Sequence, residues 1–113
     1  MSDPNELALD IEELGETAIV RCRGRLSLTS ADRLRHEVKR LLLNARGVTI
    51  DFSDVTMIDS MGLGTMAGLY VSARNAGRDL HVVNMGARVR EMFSVTRLLS
   101  LFEPAGEANV RIP

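Results

Sequence analysis

Val48-Thr49-Ile50-Asp51-Phe52-Ser53, followed after Asp54–Asp59 by Ser60-Met61-Gly62-Leu63-Gly64, reads as a strand that hands the chain to a helix. In the first stretch apolar and polar residues alternate, with Val48, Ile50 and Phe52 on one side, so one face of the sheet is predicted to be buried and the other much less covered. Asp54 to Asp59 reads as a loop. A helix is predicted from Ser60 or Met61 to Asn75, with Gly77 placed to end it. Asp59 and Ser60 are both residue types that cap helix starts by accepting from unpaired first-turn N–H groups.

Working outward, Leu7–Glu13 and Thr17–Arg23 read as two strands joined by Leu14-Gly15-Glu16, a hairpin. In the second, Ala18, Val20 and Cys22 share one face, and Ile19, Arg21 and Arg23 the other. Gly24-Arg25-Leu26-Ser27-Leu28 reads as a connector, after which Thr29 or Ser30 could cap a helix over Ala31–Asn44. That helix places Leu34, Val38, Leu41 and Leu42 on one stripe, and Gly47 is expected to close it. Leu80–Asn84 reads as a strand. Ala87–Val95 reads as a short helix with Val89, Met92 and Phe93 as its apolar side. Leu101–Glu103 and Val110–Ile112 are candidates for a last strand. The order β-β-α-β-α-β-α-β predicts an α/β fold: a mixed, mostly parallel sheet with an N-terminal hairpin and three to four helices.

The 113 residues, 45% of them hydrophobic, suit one domain with its own core, residues 1–6 being expected to be flexible. Cys22 is the single cysteine, so no internal disulfide is possible, and it reads as an inert buried thiol. The N-terminus lacks the basic and apolar regions of a signal peptide. The longest uncharged stretch, Ser60–Ala73, is too short and glycine-rich for membrane insertion. A cytoplasmic protein is expected. Residues 1–16 carry Asp3, Glu6, Asp10, Glu12, Glu13 and Glu16 with no base, whereas thirteen of the fourteen bases are arginines. No basic run is interleaved with aromatics, so direct nucleic acid binding is not expected.

Enzyme motifs fail on context. Gly62-Leu63-Gly64-Thr65-Met66-Ala67 fits a dinucleotide fingerprint in letters, but Phe52 closes its strand too early and a second nucleotide-binding half is missing. A hydrolase elbow would need Gly where Ile58 stands. Asp51, Asp54 and Asp59 could suggest Mg²⁺ or a phosphoaccepting receiver, yet there is no lysine beyond Lys39, and the acids read better as turn formers and caps. His36 and His81 cannot be tied to Ser60. No cofactor is expected, and without a Walker A loop any ATP would come with a partner. The remaining chemistry is Ser60 itself. A phosphate there would meet first-turn N–H groups and the positive helix end, beside a repelling Asp59, while Gly62 and Gly64 would keep that turn bare for a docking protein.

With Val48–Val55 and Met57-Ile58-Asp59-Ser60-Met61-Gly62-Leu63-Gly64, and with Asn84–Phe93 and Thr96–Phe102, the chain resembles the STAS domain of bacterial anti-sigma factor antagonists over about residues 7–103. The resemblance implies a non-enzymatic partner switch. Ser60 would be phosphorylated by a serine kinase that is also the anti-sigma factor, the unphosphorylated form would bind that kinase, and a serine phosphatase would restore it. Arg25, Ser27, Asp59, Met61, Gly62 and Gly64 would form the partner-binding surface, on a protein monomeric before binding. Met61 stands where the family usually has Ser or Thr. Gly24-Arg25-Leu26-Ser27 replaces a frequent Gly-Glu-Leu-Asp. These departures keep open a second reading, a STAS accessory subunit of a membrane transporter in which Ser60 only caps its helix.

Overall fold

The computed structural model describes residues 7–28 and 30–102. Strands β1 (Ala8–Leu14), β2 (Thr17–Leu26), β3 (Gly47–Ile58) and β4 (Asp79–Val83) form one sheet in the order β1-β2-β3-β4. β1 and β2 are antiparallel, and β2–β3 and β3–β4 are parallel. Helices α1 (Ala31–Leu42), α2 (Ser60–Ala76), α3 (Ala87–Val95) and the short α4 (Leu99–Phe102) complete it. The hairpin turns at Gly15, whose φ of 65° favours glycine.

The alternation of β3 holds as expected: Val48, Ile50 and Phe52 are fully buried, while Thr49 and Asp51 are half-covered. Ala18, Val20 and Cys22 join them in the core, as do Leu34, Val38, Leu41 and Leu42 of α1. A chain of edge-on aromatic contacts fastens the far end. Phe52 meets Phe93 at 6.2 Å, Phe93 meets Phe102 at 5.8 Å, and Phe102 meets Tyr70 at 5.7 Å between ring centroids. Such pairs add to area burial by about 0.5–1.5 kcal/mol each.

Several local expectations are corrected. β2 and β3 run on through the stretches read as connector and loop, because Gly24, Arg25 and Leu26 pair in parallel with Val55, Met57 and Ile58. The two strands therefore reach the start of α2 together. Gly47 opens β3 rather than closing α1, which ends with Leu43 as C-cap. Ser30 stands at the N-cap position of α1 but makes no side-chain cap bond. Met92 lies at the surface, so α3 buries only Val89 and Phe93. Leu101 and Phe102 belong to a helical turn, and Val110–Ile112 lies outside the described residues. Gly77 ends α2 as expected, at φ 69° with its N–H on Ala73 and Arg74 carbonyls.

Candidate functional site

Ser60 is the first residue of α2 and is exposed. Its position is set by Asp59, the N-cap, which is extended at φ −111° and ψ −174°. Asp59 Oδ1 accepts from Gly62 N–H at 2.9 Å, and the Asp59 carbonyl accepts from Leu63 N–H at 2.9 Å. Its other carboxylate oxygen, Oδ2, accepts from Leu28 N–H at 3.2 Å, and the Asp59 N–H donates to the Leu26 carbonyl at 3.2 Å. One residue thus caps α2 and ties it to the end of β2.

The tie is reinforced from the other side. Ser30 is buried, and its hydroxyl donates to the Arg25 carbonyl at 2.7 Å while accepting from Ser27 N–H at 3.0 Å. A buried hydroxyl left unpaired is costly, so this arrangement ties Ser30 to Arg25 and Ser27. Sequence reading offered Ser30 only as a helix cap and attached no role to Leu28, whose contribution is a backbone N–H that no residue identity announces.

Arg25, Ser27, Asp59 and Met61 are therefore drawn to one end of the sheet. Arg25 is exposed, with Met57 as its strand partner; Ser27 is half-buried; Met61 is 51% exposed. The glycines divide. Gly62 is buried, and a Cβ there would stand 2.5 Å from the Leu26 carbonyl oxygen and 2.8 Å from Ile58 Cγ1. Its bareness serves the chain's own packing. Gly64 is exposed with nothing within 4 Å of a Cβ, so its face is open to another molecule.

Asp59 supplies acceptors for the N–H groups of Gly62 and Leu63. Those of Ser60 and Met61 have no acceptor among the hydrogen bonds of the described residues, as the geometry of a helix start leaves them. An anion on Ser60 would find these donors beside it. Within α2 there is no acidic residue to oppose it. His36 is exposed on α1 and His81 on β4, and neither hydrogen-bonds Ser60 in the described structure. No helix among the described residues is long and apolar enough to cross a membrane.

The Bacillus subtilis (strain 168) anti-sigma-B factor antagonist is 25% identical over 101 residues, covering 89% of this chain and 93% of that protein. An anti-sigma factor antagonist from Mycobacterium paratuberculosis superposes with a TM-score of 0.77 at 22% identity, over 90% of this chain and 87% of that one. The phosphorylated form of the Bacillus cell fate determinant SpoIIAA does so with a TM-score of 0.68 at 18% identity, over 84% and 87%. Residues 8–110 match the STAS domain, and the chain belongs to the STAS domain family.

Proposed function

We propose that this chain is an anti-sigma factor antagonist of the partner-switching kind, a regulator without catalytic activity of its own. Unphosphorylated, it binds a serine kinase that doubles as the anti-sigma factor. Phosphorylated on Ser60, it is released. The observation that carries this reading is the exposed Ser60 hydroxyl at the first position of α2, beside a carboxylate whose two oxygens are already committed to Gly62 and Leu28. The name of the Bacillus subtilis relative and the phosphorylated state of SpoIIAA support it.

In the switching step the partner supplies ATP. Ser60 Oγ attacks the γ-phosphorus, the bond from that phosphorus to the bridging oxygen breaks, ADP leaves, and the serine proton passes to a base on the kinase. The product carries close to two negative charges. The free N–H groups of Ser60 and Met61 stabilise it in the isolated protein. In a packed interface the same charges cost several kcal/mol unless paired, enough to reject the complex. A serine phosphatase restores the hydroxyl by hydrolysis.

The test is a paired capture from host lysate with wild type and Ser60→Asp as baits, followed by identification of the bound proteins. A serine-kinase anti-sigma factor held by wild type and lost with Ser60→Asp is the expected result. Equal retention of transporter subunits by both baits would overturn the switch and favour the accessory-subunit reading.

A further inference from the structure

A β-bulge lies just before Arg25, at the end of the sheet that carries Ser60. The β2–β3 register sets Gly24 against Val55 and then Arg25 against Met57, so Thr56 is the extra residue. Gly24 has a φ of 113°, which favours glycine, and the Thr56 hydroxyl donates to the Gly24 carbonyl at 3.2 Å. Bulges re-aim the side chains beside them and are frequent next to functional sites. The Arg25 carbonyl in turn accepts from the buried Ser30 hydroxyl at 2.7 Å. The backbone of Arg25 is thus held on both sides. Its guanidinium is exposed and makes no hydrogen bond or ion pair among the described residues. By contrast, Arg21 pairs with Glu12, Arg33 holds the Leu7 carbonyl, and Arg74 sits against Tyr70.

A phosphate on Ser60 creates a demand that this arginine can meet. The N–H groups of Ser60 and Met61 are open to it. Against them stands the Asp59 carboxylate, one residue away, whose oxygens are taken by Gly62 and Leu28 and which repels the close to two charges of a phosphate. The positive pole of a helix amounts to only about half a charge, so the site is short of positive charge by itself. Within α2 the one base is Arg74, fourteen residues on and roughly 21 Å along the axis. Arg25 stands nearer. Leu26 pairs with Ile58 and its carbonyl takes the Asp59 N–H, so Arg25 is one strand over and three residues back from Ser60. At about 3.3 Å per residue and about 4.8 Å between strands, the two Cα atoms are no more than about 11 Å apart. An extended arginine and a phosphoserine together span that gap.

We infer that Arg25 is the intramolecular partner of phosphorylated Ser60. The inference rests on the proposed phosphorylation of Ser60 and names the residue that holds its product. The guanidinium takes the phosphate by two parallel N–H···O bonds and offsets Asp59. Phosphorylation then alters this surface twice, by adding negative charge and by withdrawing a free arginine from it.

The experiment uses full-length protein with phosphoserine placed at position 60 during translation, beside the unphosphorylated form, in wild type, Arg25→Gln and Arg25→Lys. Arginine Nε–H signals are recorded by proton–nitrogen NMR, the Arg25 signal being the one missing from Arg25→Gln. Each form is melted by circular dichroism, and binding to the purified host kinase is measured by calorimetry. The Arg25 signal is expected to move downfield on phosphorylation and to exchange more slowly with water. The melting temperature of the phosphorylated form, relative to its unphosphorylated counterpart, is expected to be about 3–5 °C higher in wild type than in Arg25→Gln. Arg25→Lys, which keeps the charge without the fork, should fall between them. An unmoved Arg25 signal, with the same melting change in all three proteins, overturns the pairing; loss of the kinase by phosphorylated wild type would then leave the switch standing. A shift at another arginine instead assigns the phosphate elsewhere and overturns it too. Equal destabilisation of both forms by Arg25→Gln shows a structural role and does the same. Phosphorylated wild type that still holds the kinase fails the proposed function itself, and with it the use assigned to the pairing.

Discussion

Leu28 and Asp59 lie thirty-one residues apart, and the Leu28 N–H donates to Asp59 Oδ2 at 3.2 Å while the other carboxylate oxygen caps α2 through Gly62. The end of β2 and the start of α2 are thereby held by the same side chain. Loss of that side chain removes both bonds at once.

Asp59→Ala should lower the unfolding free energy by about 2 kcal/mol, the upper part of the range for a lost N-cap. Asp59→Asn, which keeps an acceptor oxygen, should cost less. Urea unfolding of the pair measures this, and equal losses would show that the acceptor oxygen the amide keeps contributes nothing.

Gly62→Ala should destabilise by about 1–3 kcal/mol, because its Cβ would press on the backbone oxygen of Leu26, which no rotamer change can move aside. Thermal melting beside a Gly64→Ala control gives the sign of each.

Ser60→Asp should keep the fold within about 1 kcal/mol of wild type, since a carboxylate at a helix start is favourable and the neighbouring Asp59 offsets part of that gain. Ser60→Ala should also fold. Kinase binding should separate the two, with Ser60→Ala retained and Ser60→Asp lost; matching melts with matching affinities would contradict the switch.

Burial, and after it the Asp51 carboxylate, push the Cys22 thiol from 9.0 up to about 12. The folded protein therefore holds this proton more tightly than the unfolded chain does. The stability so gained is fully present below pH 9 and is lost as pH rises from about 9 to about 12. At pH 8 the native thiol should resist a disulfide reagent that labels the urea-unfolded chain at once. Cys22→Ala should flatten the fall in stability above pH 9.

Arg97 closes α3 at φ 65°, with its N–H on the Ser94 carbonyl and the next N–H on that of Phe93. A side chain in this left-handed position costs about 1–2 kcal/mol, so Arg97→Gly should raise stability by about 1 kcal/mol. A denaturation midpoint that falls instead would mean that the arginine side chain is needed.

The sheet and helices could be read from period and punctuation: β3 from its alternation, α1 from its stripe, the end of α2 from Gly77. The misreadings concern contacts between distant residues. Asp54–Ile58 breaks the alternation that precedes it, with Asp54 where an apolar residue is due and Met57 beside Ile58, and its place in the strand rests on pairing with Arg23–Leu26. Gly62 looked like an open surface because its neighbour, the Leu26 carbonyl, comes from another strand. Ser30 matched a cap by type, yet its hydroxyl turned back to the Arg25 carbonyl. Ser60 and Asp59 were legible because capping is local chemistry, carried within one turn of helix.

The anchoring of Asp59 to Leu26 and Leu28 bears on when during synthesis the site comes into being. A peptide spanning residues 55–66 would contain the hydroxyl, the cap and both nearby glycines, yet lack the backbone groups of β2 that hold them in place. The parallel crossover must close before Ser60 is displayed as it is in the finished domain. Under the proposed switch, a kinase that recognises this display would act on completed molecules and pass over nascent or damaged ones.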